Sequence, residues 1–258
     1  MSPILTQHLP ALERMKKYPS KLFYKGSLEL LQRPKISIVG TRRPSNYTRQ
    51  CTYMLAKALA KRGVCVVSGA AMGVDALAHA GAGEGNTIAV VANGLDIRYP
   101  AVNKELIEGI ENKGLLLSQF NDGFRATGWS FVVRNELVVA LGDSLIVTEA
   151  DLDSGSMRSV EYALKMGKEV FVLPQRLDES LGTNKLLNEM QATQIHNIET
   201  FASTFGQSAQ DGLEKDEFFY FCQTLPTFDE SLKRFGDRVY EAELEGIITI
   251  QNGIVRLN

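Results

Sequence analysis

The chain has 258 residues, 44% of them hydrophobic and 22% charged, with a net charge of −2. That is the make-up of a folded globular protein with room for one large α/β domain and a smaller one, which excludes a disordered or fibrous chain. No apolar run reaches the roughly 18–20 residues that span a bilayer, and MSPILTQHLPALERMKKYPSKL lacks the charged start and apolar core of a signal peptide, so a cytoplasmic protein with no membrane partner is expected.

Residues 1–32 read as an N-terminal segment packing on the core of a domain that spans 33–205. Within that domain, short runs rich in Val, Ile and Leu recur at Lys35–Gly40, Val64–Gly69, Thr87–Ala92, Leu115–Gln119, Ser144–Ala150 and Glu169–Leu173. Such runs suit strands buried on both faces. Helical patterns of about 10–15 residues separate them. The first, Tyr47–Arg62, has Cys51, Leu55, Ala58 and Leu59 at core spacing and Arg49, Tyr53, Lys57 and Lys61 in an i, i+4 row on another face. Gly63 suits its C-cap. Alternating strands and helices of this kind predict an extended Rossmann-like α/β fold, a doubly wound parallel sheet with right-handed crossovers.

Residues 206–215 are polar and read as a linker. Three short helical patterns follow at Asp216–Thr224, Phe228–Phe235 and Arg238–Glu245. IITIQNGIVRL then gives two alternating strands about Asn252-Gly253, a type I′ hairpin signal. Three helices and a hairpin over 216–258 predict a small C-terminal winged-helix domain.

Charge is unevenly spread. From Leu30 to Val74 there is no Asp or Glu, against eight Lys and Arg; from Asp211 to Asn258 there are ten acidic residues and five basic ones. The two ends are expected to meet different partners. The three cysteines, Cys51, Cys65 and Cys222, are far apart and read as reduced thiols. His8, His79 and His196 are scattered, so no metal site is expected.

The turns after the strands carry the chemistry. VGTRRPSNYTRQ (39–50) stands where a doubly wound protein places a dinucleotide loop, yet has one glycine followed by Thr41, Arg42 and Arg43. There is no GxGxxG and no GxxxxGK[ST], so neither a nicotinamide enzyme nor a P-loop NTPase is supported and no cofactor is expected. Ser68, Gly69 and Gly73 lie in the next turn, Asn93-Gly94 in the one after, and Ser154, Gly155 and Ser156 open a later helix. Small residues there either make tight turns and caps or bare backbone N–H groups to anions along one sheet edge. Arg134 and Asn135 sit inside an otherwise apolar helix. They form either a structural pair with a carboxylate or part of the same edge, with Phe131 and Trp129 beside them for base stacking. Asp75 reads as a helix N-terminal residue, and neither it nor Asp96 joins a catalytic constellation.

Gly40-Thr41-Arg42, SGAAMGVDALAHA (68–80), the Arg134-Asn135 helix, EADLDSGSMRSVEYAL (149–164) and VFVLP (170–174) together resemble the DNA-processing protein A family over roughly residues 20–200. The resemblance implies a homodimer without catalytic activity. It would bind single-stranded DNA, and duplex more weakly, and load the RecA recombinase during natural transformation. It carries over to Gly40, Thr41, Arg42 and Arg43 as a phosphate-contacting turn, to Ser68, Gly69 and Gly73 as the second turn, and to Arg134 and Asn135 as the helix motif. Ser154, Gly155 and Ser156 match the later turn and Phe131 a stacking position. Two departures stand out: Glu136 replaces a second arginine, and Thr127-Gly128-Trp129 lacks a lysine, a gap that Arg125 or Trp129 is expected to fill. The last predicted helix carries Glu241, Glu243 and Glu245, which repel phosphates, so its domain is expected to contact protein or the basic face of a partner subunit. A nucleotide phosphoribohydrolase of the lysine-decarboxylase-like type is the alternative. Its PGGxGTxxE turn is absent: Asp151-Leu152-Asp153-Ser154-Gly155-Ser156-Met157 stands there.

Overall fold

The computed structural model describes residues 1–206, 217–244 and 247–257. The expected linker beyond Gly206, the side chain of Glu245 and Asn258 lie outside the described residues. The chain divides into two compact units, Met1–Ala209 and Gln210–Asn258.

The first unit is built on an eight-stranded sheet among the described residues. Its elements in chain order are β1 (Phe23–Gly26), β2 (Lys35–Val39), α1 (Asn46–Lys61), β3 (Cys65–Ser68), α2 (Val74–Ala82), β4 (Thr87–Val91), α3 (Lys104–Lys113), β5 (Leu115–Ser118), α4 (Gly128–Leu141), β6 (Ser144–Val147), α5 (Gly155–Lys165), β7 (Val170–Val172), α6 (Leu181–Asn188), β8 (Thr193–Gln194) and α7 (Ile198–Ala202). The strand order is β1-β5-β4-β3-β2-β6-β7-β8. Every pairing is parallel except that of β1 with β5. The six expected strands therefore form, each a residue or more shorter than its apolar run. β1 and β8 were not expected. β1 makes the sheet mixed rather than wholly parallel, because its register with β5, Phe23 opposite Ser118, runs antiparallel.

Residues of the strands alternate between two cores, as a pleated sheet covered on both faces requires. Ile36, Ile38, Val66 and Ile146 join Leu55, Leu59 and Ala78 of α1 and α2 on one face. Val39, Val67, Leu145 and Val147 join Leu137, Leu141 and Val160 of α4 and α5 on the other, together with Leu9, Leu12 and Leu22 of the N-terminal segment. The chain winds from β2 toward β5 in one direction and from β6 toward β8 in the other. The order thus reverses between β2 and β6, and α1 and α5 leave the sheet on opposite faces there. A crevice opens at that point, outside the carboxyl ends of the strands.

The second unit holds α8 (Glu217–Gln223), α9 (Phe228–Phe235), α10 (Arg238–Leu244), β9 (Ile248–Gln251) and β10 (Ile254–Leu257), the order expected of a winged helix. Its core is Phe218, Cys222, Val239, Ala242, Ile248 and Val255. Thr227 and Glu230 form a capping box that fixes the start of α9. The β9–β10 turn is type I′, with positive φ at both Asn252 and Gly253.

One buried cation holds the end of α4. Lys168 is 8% exposed, and its Nζ donates to the carbonyls of Val139 and Ala140 at 2.8 Å each and to that of Gly142. These are last-turn carbonyls without helical partners, which a cation suits. Burial pulls the ammonium down to about 8, and Asp143 opposes that pull. Lys168→Met removes all three donors from buried acceptors. It should lower the free energy of urea unfolding by about 2 kcal/mol, with α4 amides losing hydrogen-exchange protection first.

Candidate functional site

The β2–α1 turn, residues 40–45, is held from three sides. Thr41 N–H donates to the Glu149 carbonyl at 2.8 Å, and Val74 N–H donates to the Thr41 carbonyl at 3.1 Å. Ser45 caps α1 by accepting from Thr48 N–H, while its own N–H and hydroxyl both donate to Glu149 Oε2 at 3.0 Å. Glu149, just past β6, therefore fixes the turn without a run of glycines. The glycines that are present serve close approach. A Cβ on Gly73, whose φ is +79°, would stand 2.6 Å from the Arg42 carbonyl oxygen. The turn carries Arg42 and Arg43 outward, both exposed.

The β3–α2 turn is braced from below. Ala70 adopts φ +55°, a left-handed conformation costly for alanine. Its N–H donates to His79 Nε2 at 3.3 Å, and Asn103 Nδ2 donates to the carbonyls of Ala70 and Ala71 at 3.0 Å each. Thr87 Oγ1 donates to the Val66 carbonyl and so accepts from His79 Nδ1 at 2.6 Å. The imidazole is thus neutral with its proton on Nδ1. Burial, helped by the nearby Arg134 charge, pulls His79 down to about 3.

α4 supplies the floor. Thr127 caps it in a capping box with Ser130. Arg134, 4% exposed, donates to the carbonyls of Gly69 and Val90, at the ends of β3 and β4. Burial pushes the Asp75 carboxyl up, while Arg134 and the Ala71 amide pull it back. Asp75 and Arg134 attract each other across the site without closing to an ion pair, which is as near as the structure comes to the Arg–carboxylate pair that one reading of the sequence foresaw. The guanidinium nonetheless also borders the crevice, and its Nε has no acceptor among the described residues. The Phe131 ring lies 5.2 Å from the Arg42 guanidinium carbon and 5.8 Å from that of Arg134. Tyr99 is its aromatic neighbour at 6.1 Å.

On the far wall α5 begins, capped by Ser154, whose hydroxyl accepts from Met157 N–H. These walls enclose a cavity of about 330 Å³ at the β2/β6 edge. Of the expected residues, Gly40, Thr41, Arg42, Phe131, Arg134, Asn135, Ser154, Gly155 and Ser156 line it. Arg43 stands outside it on the turn. Gly69 borders a smaller hollow beside Tyr99 and Asn93. Gly73 acts through the backbone approach just described. Ser68 is fully buried and its hydroxyl donates to the Ile38 carbonyl, so it presents nothing to the cavity. Trp129 does not join Arg134. It is 63% exposed and packs edge-on against Phe120 at 5.9 Å, and neither it nor Arg125 lines the cavity. Glu136 faces the N-terminal segment, accepting from Lys16 N–H at 2.7 Å. Sequence reasoning passed over Glu149, Tyr99 and Arg158, the last of which also lines the cavity. Only the position of Arg158 one turn into α5 could have signalled it.

A family model for DNA recombination-mediator protein A matches residues 5–206. DNA processing protein DprA of Streptococcus pneumoniae is 38% identical over 175 residues, 66% of this chain and 62% of that protein. That of Bacillus subtilis is 36% identical over 162 residues, 62% of this chain and 54% of that protein. The matched region thus spans less than two thirds of these relatives. A solved structure of DNA processing protein A from Helicobacter pylori, described for its single-stranded DNA binding mode, is 44% identical, with a TM-score of 0.77 over 79% of this chain and 95% of that one.

His79 ties stability to pH with a definite sign. Its folded pKa of about 3 lies below the ordinary 6.5. Its contribution is therefore fully present above pH 6.5 and is lost as pH falls toward 3, because only the unfolded chain takes up the proton. Wild-type urea unfolding should lose up to about 1.4 kcal/mol per pH unit in that window from this group. His79→Gln should be less stable at pH 8 yet show a slope shallower by about one proton.

Proposed function

From the membership of this chain in the DNA recombination-mediator protein A family, we propose that it binds single-stranded DNA in the cavity at the β2/β6 edge. The observation that carries the reading is the convergence of the Arg42 turn, the amino end of α5 and the Phe131 ring on one open cavity. Phosphates sit on Arg42, Arg43, Thr41 and the first amides of α5, where helix dipole and bare N–H groups favour an anion. Asn135 and Ser156 border the same path. One base stacks on Phe131. Only an unpaired strand can offer a base to a ring in this way, which ranks single strands above duplex. On this reading the protein protects incoming strands and delivers them to the RecA recombinase in natural transformation, acting as a homodimer in the cytoplasm. Nothing in the proposal requires a catalytic step or a cofactor.

The test is a titration with labelled single- and double-stranded oligonucleotides at two salt concentrations. Each neutralised phosphate releases counterions, so affinity should fall steeply with salt. Arg42→Ala and Arg43→Ala should each weaken binding to single strands and flatten the salt slope by about one; unchanged affinity and slope in both variants would reject the site.

Glu149→Ala separates positioning from plain electrostatics. Removing a negative charge beside the site should by charge alone tighten binding. Because Glu149 holds Ser45 and with it the arginine turn, binding should instead weaken about fivefold, the loss of about 1 kcal/mol of charged hydrogen bonding.

A further inference from the structure

We propose that Trp129, outside the cavity, is a second stacking platform for single-stranded DNA and takes a base beyond the one on Phe131. The inference deepens the proposed function and rests on it. Trp129 is the one tryptophan of the chain. It stands on the first turn of α4 and is 63% exposed. An indole is among the largest apolar surfaces that a side chain offers, and folding ordinarily hides most of it. Here it meets the Phe120 ring at 74°, with centroids 5.9 Å apart. Phe120 is itself stacked on Phe124 at 4.5 Å and 11°. The capping box of Thr127 and Ser130 fixes the backbone on either side of it. The indole is thus braced from one side and bare on the rest, and a ring held in this way loses little freedom when a base lands on it.

The surroundings fit an unpaired strand. Phe131, the stacking ring of the cavity, is two residues further on, and Tyr99, 47% exposed, lies 6.1 Å from it. Three aromatic rings therefore flank the start of α4. Residues two apart on a helix point about 160° away from each other, so a strand that reaches both Phe131 and Trp129 crosses the tip of the helix. That tip is open: a Cβ on Gly128 would meet nothing beyond its own helix within 4 Å among the described residues. Thr127 accepts from the N–H groups of Ser130 and Phe131, whereas those of Gly128 and Trp129 have no helical partner, which suits a phosphate passing over them. Arg125 before the helix and Arg42 beside Phe131 are exposed cations on the two sides of the crossing. The carboxylates of the adjoining loops are engaged elsewhere. Asp96 accepts from Gly123 N–H at 2.9 Å, and Asp122 accepts from the Ser2 amide at 2.6 Å and the Ser2 hydroxyl at 2.7 Å. Rings set among cations and bare amides give bases a face and phosphates a charge, whatever the sequence.

A sole tryptophan makes the test direct. The full chain is titrated with a labelled oligodeoxythymidylate of about 12 nucleotides, with binding read by anisotropy of the label and stacking by indole emission. Emission should be quenched as the strand saturates the protein. An abasic strand of the same length and charge should bind more weakly and leave the emission unchanged. Trp129→Leu should weaken binding of the thymidylate about tenfold with an unchanged salt slope, because no phosphate contact is lost. It should leave the abasic strand bound as before, and Trp129→Phe should keep most of the affinity. Unchanged emission while anisotropy shows the strand bound overturns the platform and leaves the cavity standing. So does a loss in Trp129→Leu that the two strands share equally. If Arg42→Ala and Arg43→Ala both leave binding unaffected, the cavity itself fails, and this inference falls with it.

Discussion

Arg134 carries its guanidinium to a place where only 4% of the residue stays exposed, and the shape of the cavity follows from what that charge meets there. A buried cation costs several kcal/mol unless it is neutralised and fully hydrogen-bonded. Arg134 meets these conditions in part, since its Nε has no acceptor among the described residues. Its Nη1 binds the carbonyls that end β3 and β4, and Asp75 at the start of α2 supplies the opposite charge. Two strand ends, one helix start and α4 are thus drawn to a single planar group. Gly69 belongs to this arrangement because a Cβ there would strike the guanidinium. So does Phe131, one turn earlier on α4, whose ring is held at the mouth of the crevice by Arg134 and met from the turn by Arg42.

This brace changes what Arg134 can contribute. Its Nη1 is committed inward, and Arg42 on the turn and Arg158 on the opposite wall add positive charge around the cavity. Asp75 offsets Arg134, and Glu149 is occupied by Ser45. The carboxylates nearest the turn therefore act as anchors for it and do not oppose an anion freely. The Asp153 side chain is exposed and also borders the cavity, which makes the α5 wall less positive than the turn and gives the site a polarity from one wall to the other.

Local features were legible in the sequence; distant pairings were not. The strands on Lys35–Val39, Cys65–Ser68 and Thr87–Val91 are readable because burial on both faces forces continuous apolar runs. The Asn252-Gly253 hairpin is readable because few residue pairs accept two positive φ values. β1 escaped because FYKG is too short to signal itself, and only pairing with β5, some ninety residues away, makes it a strand. The same limit governs the site. Turn glycines and arginines declare themselves through backbone chemistry, but the hydrogen bonds of Glu149 to Ser45 span about a hundred residues. Ser68 shows a related limit: a small residue at a strand end suits a turn equally well whichever way the pleat aims its hydroxyl, and here it aims inward. Trp129 follows the same rule, since one residue's shift around a helix separates it from Arg134 and turns it toward Phe120.

The arginine turn can now be weighed against the glycine-rich loop that it replaces. A dinucleotide loop binds one compact pyrophosphate, and its glycines let the backbone wrap that group closely. Wrapping closes the site around a ligand of fixed size. A polynucleotide has no end at the pyrophosphate, so a closed loop would stop the chain from running on. The turn here keeps Gly40 and Gly73 only where backbones must touch, and it takes its rigidity from Glu149 and from Val74 N–H. That rigidity leaves the outer surface of the turn free for long side chains. Arg42 faces the cavity, Arg43 faces outward, and the helix that follows begins at their feet. On the proposed reading the anion site is open along one direction, and it is the protein scaffold beneath, not the ligand's size, that holds its form.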